Sequence, residues 1–262
     1  MPAFIGAPGP TAFHRLNPLT KLVLALVATL LAIVVGGVIG PALVATVGVL
    51  LPAAAARILG RLLHTSLVLS LPIAISVLVV NLFFYPAGVE VLFQLGPIRA
   101  TSEGLAFAIE TLARIGAISG AITLFYLTTP SGELVTDLER RGVAPRIAFV
   151  THASVQTVPA MVERAASIIE AQRARGLDTE GSILRRARGV LPLAGPVLLG
   201  SIAEIEERTQ ALEARGFSRP GRRTLLWEPA DSARQRALRW ALLLAVPLLI
   251  GLRAGGWLGW LG

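Results

Sequence analysis

Between Leu22 and Ala56 the chain carries no charged residue for 35 positions. As a single α-helix this run would be roughly 52 Å long, against a bilayer hydrocarbon core of about 30 Å. It must therefore fold into two spans. The turn is expected from Gly36-Gly37 to Gly40-Pro41, where glycine permits the bend and proline can open the second helix. Over 262 residues, 54% are hydrophobic and only 15% are charged. The mean hydropathy is +0.69, the profile of an integral membrane protein. Further apolar segments run from Leu67 to Pro86, from Gly104 to Thr128, and from Arg239 to the C-terminus, which makes five expected spans. Trp240, Trp257 and Trp260 lie near the ends of the last, as interfacial tryptophans do.

Basic residues orient these spans. Of 24 Lys and Arg residues, Lys21 is the sole lysine. Arg15 and Lys21 precede the first span, Arg57 and Arg61 separate the second from the third, and most other arginines fall between Thr129 and Arg239. The positive-inside rule places these three regions in the cytoplasm, with the N-terminus inside and the C-terminus outside. The first twenty residues lack the apolar core of a signal peptide, so no cleaved leader is expected. The net charge of +8 and the pI near 11.3 then reflect arginine facing anionic lipid, and no nucleic-acid partner is expected. Four regions follow: a cytoplasmic segment 1–21, a four-helix transmembrane region 22–128, a cytoplasmic domain 129–238, and a C-terminal transmembrane helix 239–262. The fold class is all-α, a polytopic membrane protein whose cytoplasmic domain has three helices, two of them long.

In that domain, Thr129-Pro130 reads as N-cap and first position of a short helix that ends at Arg141 before Gly142. The second helix is expected from about Arg146 to Arg175, kinked at Pro159. The third runs from about Ser182 to Arg215, bent or broken near Pro192 and Pro196. Both long helices carry an apolar face. They suit levers, or alternatively an amphipathic pair lying on anionic lipid.

Two phrases end these long helices, Ala171-Gln172-Arg173-Ala174-Arg175-Gly176-Leu177 and Ala211-Leu212-Glu213-Ala214-Arg215-Gly216-Phe217, forty residues apart. In each, glycine sits where a left-handed residue closes a helix, and a large apolar residue follows to fold back on the last turn. Each phrase thus fixes one arginine at a helix tip, where its planar fork suits a carboxylate on another protein. Arg-Gly is also a common helix ending, but two copies in matching context favour the functional reading.

Other chemistry is sparse. No P-loop lysine follows a glycine-rich turn, so ATP cannot be bound in that way. His14, His64 and His152 are scattered, and with no cysteine there is no metal-ligand pattern and no disulfide. Ser119 lies among glycines but outside a Gly-x-Ser-x-Gly pattern, which suits close helix packing. Asn81 is expected to hydrogen-bond between helices. Glu110 and Arg114 form an i,i+4 pair within the fourth span, either a neutralised structural pair or a contact site for a polar partner.

With four spans before two arginine-tipped helices and one span after, the chain resembles the transmembrane (T) component of energy-coupling factor transporters over nearly its whole length. Three motifs carry the resemblance. The entry phrase His14-Arg15-Leu16-Asn17-Pro18-Leu19-Thr20-Lys21 is similar to the family's His-x-Leu-Asp-Pro-x-Thr-Lys, with Asn17 where aspartate is commoner. Thr128-Thr129-Pro130 with Glu133-Leu134 is similar to the start of the family's first coupling helix. The paired Ala174-Arg175-Gly176 and Ala214-Arg215-Gly216 are the most specific. The resemblance implies a coupling domain whose helices dock into grooves of two ABC-type ATPases, which hold the ATP and magnesium, with no cofactor in this chain. It implies a second membrane partner, a substrate-binding (S) subunit, tilted to release a vitamin or metal ion. It also implies a bacterial or archaeal plasma membrane. The competing readings are a self-contained membrane enzyme or channel, and a membrane-anchored scaffold.

Overall fold

The structure, a computed structural model, describes residues 11–86, 90–95, 98–176, 183–219 and 229–255. Trp257 and Trp260 lie outside them. Two compact units emerge, one of residues 1–142 with 228–262, the other of residues 143–227.

In the first unit, α1 (Pro18–Val34) opens where the entry phrase provides a start signal. Pro18 takes the first helical position, and the Asn17 side chain accepts the Leu19 N–H at 3.0 Å. The chain turns at residues 35–38, with Gly37 at φ +68, a left-handed conformation. The second apolar helix, Ile39–Ala55, is continuous but not uniform. It passes from α2 (Ile39–Val44) through a π-helical segment (Ala45–Leu50) to α3 (Leu51–Ala55). Pro52 supplies the reason: its ring would clash with the carbonyl of Gly48, and the widened π turns relieve that contact. The charge-free run thus makes two helices with the turn where glycine and proline placed it.

α4 (Leu59–Phe84) and α5 (Ser102–Thr128) are longer, and α9 (Ala233–Ala254) closes the unit. These three are long and apolar enough to cross a membrane, and the two shorter apolar helices bring the polytopic architecture to five apolar segments. α4 begins well before Leu67 because its first turns carry Arg61 and His64 without breaking the helix. Between α4 and α5 an antiparallel hairpin of β1 (Val91–Leu95) and β2 (Ile98–Thr101) departs from the all-helical expectation. A bulge between Val91 and Phe93 shifts its register.

The core of this unit is built from small residues. Ala28, Ala53, Ala117 and Ala121 are buried, and Val49 of the π segment sits on Gly120 so closely that an added Cβ would come within 3.0 Å. Close backbone approach at small residues is how helices associate where water supplies no driving force. Ser66 and Ser119 join α4 to α5 by a hydroxyl–hydroxyl bond. Asn81 departs from expectation, since its amide donates to the Val77 carbonyl of its own helix at 2.8 Å.

The short helix α6 (Ser131–Arg140) belongs to this first unit and packs on α1. Its N-cap is Pro130, and the Thr129 hydroxyl, expected to cap it, is buried without a hydrogen-bond partner among the described residues. The second unit comprises residues 143–227. It is made of α7 (Pro145–Ala174) and α8 (Ile183–Ala214). The α8 backbone runs unbroken through Pro192 and Pro196.

Candidate functional site

Both repeated phrases close their helices as their chemistry dictates. α7 ends at Ala174, and Gly176 takes φ +89 with its N–H donating to the Arg173 carbonyl at 2.9 Å. α8 ends at Ala214, and Gly216 takes φ +74. There the Gly216 N–H reaches the Glu213 carbonyl and the Phe217 N–H reaches the Leu212 carbonyl, each at 2.9 Å, the paired bonds of a Schellman motif. The Phe217 ring meets Phe149 of α7 edge-on at a centroid distance of 4.9 Å. This apolar residue therefore packs across to the other helix.

Ala174, Arg175, Gly176, Ala214, Arg215 and Gly216 are all exposed. Among the described residues neither Arg175 nor Arg215 makes an ion pair, so both guanidiniums are available to a partner. The two tips are not brought together. Arg164 bonds Glu204 at 2.6 Å, while Phe149, earlier on α7, meets Phe217, later on α8. The helices are therefore antiparallel, and the Arg164–Glu204 pair stands eleven residues before each tip arginine. At 1.5 Å per residue the tips lie on opposite sides of that pair, about 33 Å apart. Arg164 and Glu204 are themselves forty residues apart, the offset of the repeated phrases. The pair thus has an approximate two-fold axis through this bridge, with the same cation at each end. α7 and α8 also expose Val150, Val158, Val162, Leu199, Ile202 and Ile205.

In the first unit, the end that carries Asn17 holds a buried polar network that sequence reading passed over. The Asn17 amide donates to Asp137 Oδ1 of α6 at 2.9 Å, and the Asn17 N–H donates to Gln235 Oε1 at 2.8 Å. Lys21 Nζ donates to the carbonyls of His14 and Thr128, both at 2.8 Å. The lone lysine of the chain is thus a buried tie between the entry phrase and the end of α5. Arg239 of α9 donates to the Thr20 hydroxyl at 3.0 Å and to Asp231 Oδ2 at 2.9 Å. Arg141 bonds Asp137 and Asp231, each at 2.9 Å, and Arg140 bonds the Pro229 carbonyl at 3.1 Å. Asn17, Lys21, Asp137 and Arg239 are all buried; Asp137 and Arg239 meet opposite charges, and the Lys21 ammonium meets two carbonyl oxygens. Burial alone would raise the Asp231 carboxyl pKa, but the hydrogen bonds and charges of Arg239 and Arg141 together outweigh it and hold it below the ordinary value. Burial pushes the Glu133 carboxyl up, with the Lys21 charge opposing. The only signals in the sequence were the i,i+4 spacing of Asp137 and Arg141 and the entry phrase itself.

Glu110 and Arg114 pair at 2.7 Å, and both also grip the end of α1. Glu110 accepts the Gly37 N–H at 3.1 Å and Arg114 donates to the Ala32 carbonyl at 3.2 Å. The guanidinium of Arg253 in α9 approaches the same turn at Gly36. Cationic groups at a helix C-terminus complement its exposed carbonyls and dipole. The geometry describes a staple on the α1–α2 turn. Among the described residues there is no cluster of metal-ligating side chains.

Residues 10–225 match the family model described as "Cobalt transport protein" (CbiQ). An energy-coupling factor transporter transmembrane protein, EcfT, of Brevibacillus brevis is 32% identical over 222 residues, 80% of this chain and 82% of that protein. EcfT of Exiguobacterium sibiricum is 32% identical over 68% of this chain and 70% of its own length. A Bifidobacterium longum protein named for ABC transporter ATP binding is 28% identical over 94% of this chain, a match that occupies 32% of that longer protein. The chain belongs to the family of transmembrane (T) components of energy-coupling factor transporters.

Proposed function

We propose that this T component couples two ABC-type ATPases to a substrate-binding membrane subunit, with Arg175 docking on one ATPase and Arg215 on the other. The observation that carries this is the antiparallel α7–α8 pair, which offers the same exposed arginine, followed each time by a left-handed glycine, in two places about 33 Å apart. A quasi-symmetric pair of cations suits a partner that presents one acidic groove twice, as two related ATPases do. An arginine held at a helix tip enters such a groove with little orientational freedom left to lose. The Bifidobacterium relative supports the partnership, because there a stretch similar to this chain forms a third of a protein named for ATP binding.

ATP and its magnesium stay on the ATPases. The one lysine here is buried with two backbone carbonyls as partners, so it is not held in a phosphate-binding loop. Closure of the ATPases around ATP draws the two tips, and the helices carry that motion towards the membrane unit. The S subunit answers by releasing its solute, a vitamin or a metal ion; cobalt is named in the description of the matching family. The arginine distribution supports a cytoplasmic N-terminus and a cytoplasmic α7–α8 unit in a bacterial or archaeal plasma membrane.

Co-purification tests the reading. Tagged chain co-expressed with cassette ATPases retains both and the assembly hydrolyses ATP, whereas the chain alone does not. Hydrolysis or solute flux by the chain alone in liposomes indicates a self-contained enzyme or channel. ATPases that wash away from a folded chain leave a scaffold.

A further inference from the structure

The backbone passes between the two units twice, out after Gly142 and back before Glu228. Both passages are flanked by charged residues that bond to each other on the membrane-unit side. Arg141, one residue before the outward passage, bonds Asp231, three residues after the return, at 2.9 Å. Arg140 bonds the carbonyl of Pro229 at 3.1 Å. The bond has deep roots: Arg141 also holds the fully buried Asp137, which is tied to the N-cap of α1, and Asp231 also holds the buried Arg239 of α9. Gly142, with φ +103, sets the outward turn, and Arg141 precedes it as Arg175 and Arg215 precede Gly176 and Gly216. This third Arg-Gly helix end differs in one respect: its arginine is turned into the protein's own carboxylates.

We propose that Arg141 and Asp231 are positioning residues, a clamp that joins the two passages so that motion of α7 and α8 reaches α1 and α9 instead of being lost in two independently bending connections. This rests on the coupling function proposed above. Two separate single-stranded connections transmit a pull poorly, because each absorbs it by rotation about its own backbone bonds. Tied to each other, and anchored on α1 and α9, residues 141 and 231 move together at the membrane-unit ends of the two passages. The same bond held throughout the ATP cycle is what the clamp requires.

The test uses the full chain assembled with its ATPases and a single cysteine at Leu244, an exposed position of α9, carrying an environment-sensitive fluorophore. The sequence contains no other cysteine. In the unmodified clamp, adding ATP and magnesium changes the fluorescence. In Arg141→Gln the ATPases are retained and hydrolysis stays within about twofold, but the change falls at least about fivefold. As a second arm, Arg141→Cys with Asp231→Cys shows the same loss, with Trp240→Cys giving no substitute, and a short, reductively cleavable thiosulfonate linker between 141 and 231 restores at least half the change; here the reporter is an amber-encoded fluorescent residue at 244. A full-sized change in Arg141→Gln overturns the clamp alone, as does a linker that abolishes the change instead of restoring it. Failure of the starting chain to retain ATPases overturns the coupling reading, and the clamp with it.

Discussion

Asn17 stands where the family phrase carries aspartate, and the structure gives a reason. Its amide donates to Asp137 while its oxygen caps α1. A carboxylate at 17 keeps the cap but replaces the amide donor with a like charge in hydrogen-bond contact with Asp137, a repulsion that Arg239 and Arg141 offset only in part. Asn17→Asp is expected to lower stability by about 2–4 kcal/mol, and Asp137→Asn added to it to recover most of the loss, measured by thermal unfolding in detergent. Asp231 gives a pH prediction. Because its folded-state pKa lies below the ordinary value, its contribution is complete above that ordinary value and is lost as pH falls through the lowered one. The difference in melting temperature between the unaltered chain and Asp231→Asn should stay constant from neutral pH to about pH 5 and shrink only in stronger acid. This network was not read from the sequence, where only the entry phrase and the unread Asp137–Arg141 spacing hinted at it, since it draws on residues 17, 21, 137, 231 and 239, whose proximity exists only in the fold. Glu110 and Arg114 were legible as a pair, but their grip on the α1–α2 turn was not.

Helices were readable wherever one local rule governed them. The Gly36–Pro41 turn, the α6 stop at Gly142 and the ends of α7 and α8 all follow from glycine and proline placement. Pro192 and Pro196 do not break α8, whose backbone continues through them. The β1–β2 hairpin is signalled only by short alternations, Phe93-Gln94-Leu95 and Ile98-Arg99-Ala100-Thr101 around Gly96-Pro97, too brief to stand out between two long apolar helices, and its register depends on a bulge. The antiparallel arrangement of α7 and α8 makes a sharp prediction at this scale. Spin labels on single cysteines replacing Arg175 and Arg215 should show a distance distribution centred near 30–35 Å, widened by the label arms. A distribution centred below about 20 Å would place both tips at one end and remove the two-groove geometry. Gly216→Ala forces an L side chain into φ +74 and should cost roughly 1 kcal/mol of local helix-end stability, with Gly216→Asn costing less. Amide exchange near residue 217 reads both.

At the scale of the whole molecule, five apolar segments, the arginine distribution and the paired tips support the directional account proposed above, in which the α7–α8 unit faces the cytoplasm and docks on ATPases. Impermeant thiol reagents should leave a cysteine at Thr151 or Ser218 unlabelled in intact cells and label it after lysis; labelling in intact cells would invert the topology. The central claim, that Arg175 and Arg215 are the docking contacts, is tested most directly by reversing both charges, Arg175→Glu with Arg215→Glu, and measuring retention of the ATPases on the purified chain. Losing one partner of a charge-assisted pair typically costs about 2–5 kcal/mol, enough to weaken docking roughly thirtyfold or more. The double variant should therefore insert and fold but lose its ATPases, while the same reversal at the exposed Arg146 has little effect. Normal ATPase retention by the folded double variant would reduce the repeated phrases to helix caps and contradict the account.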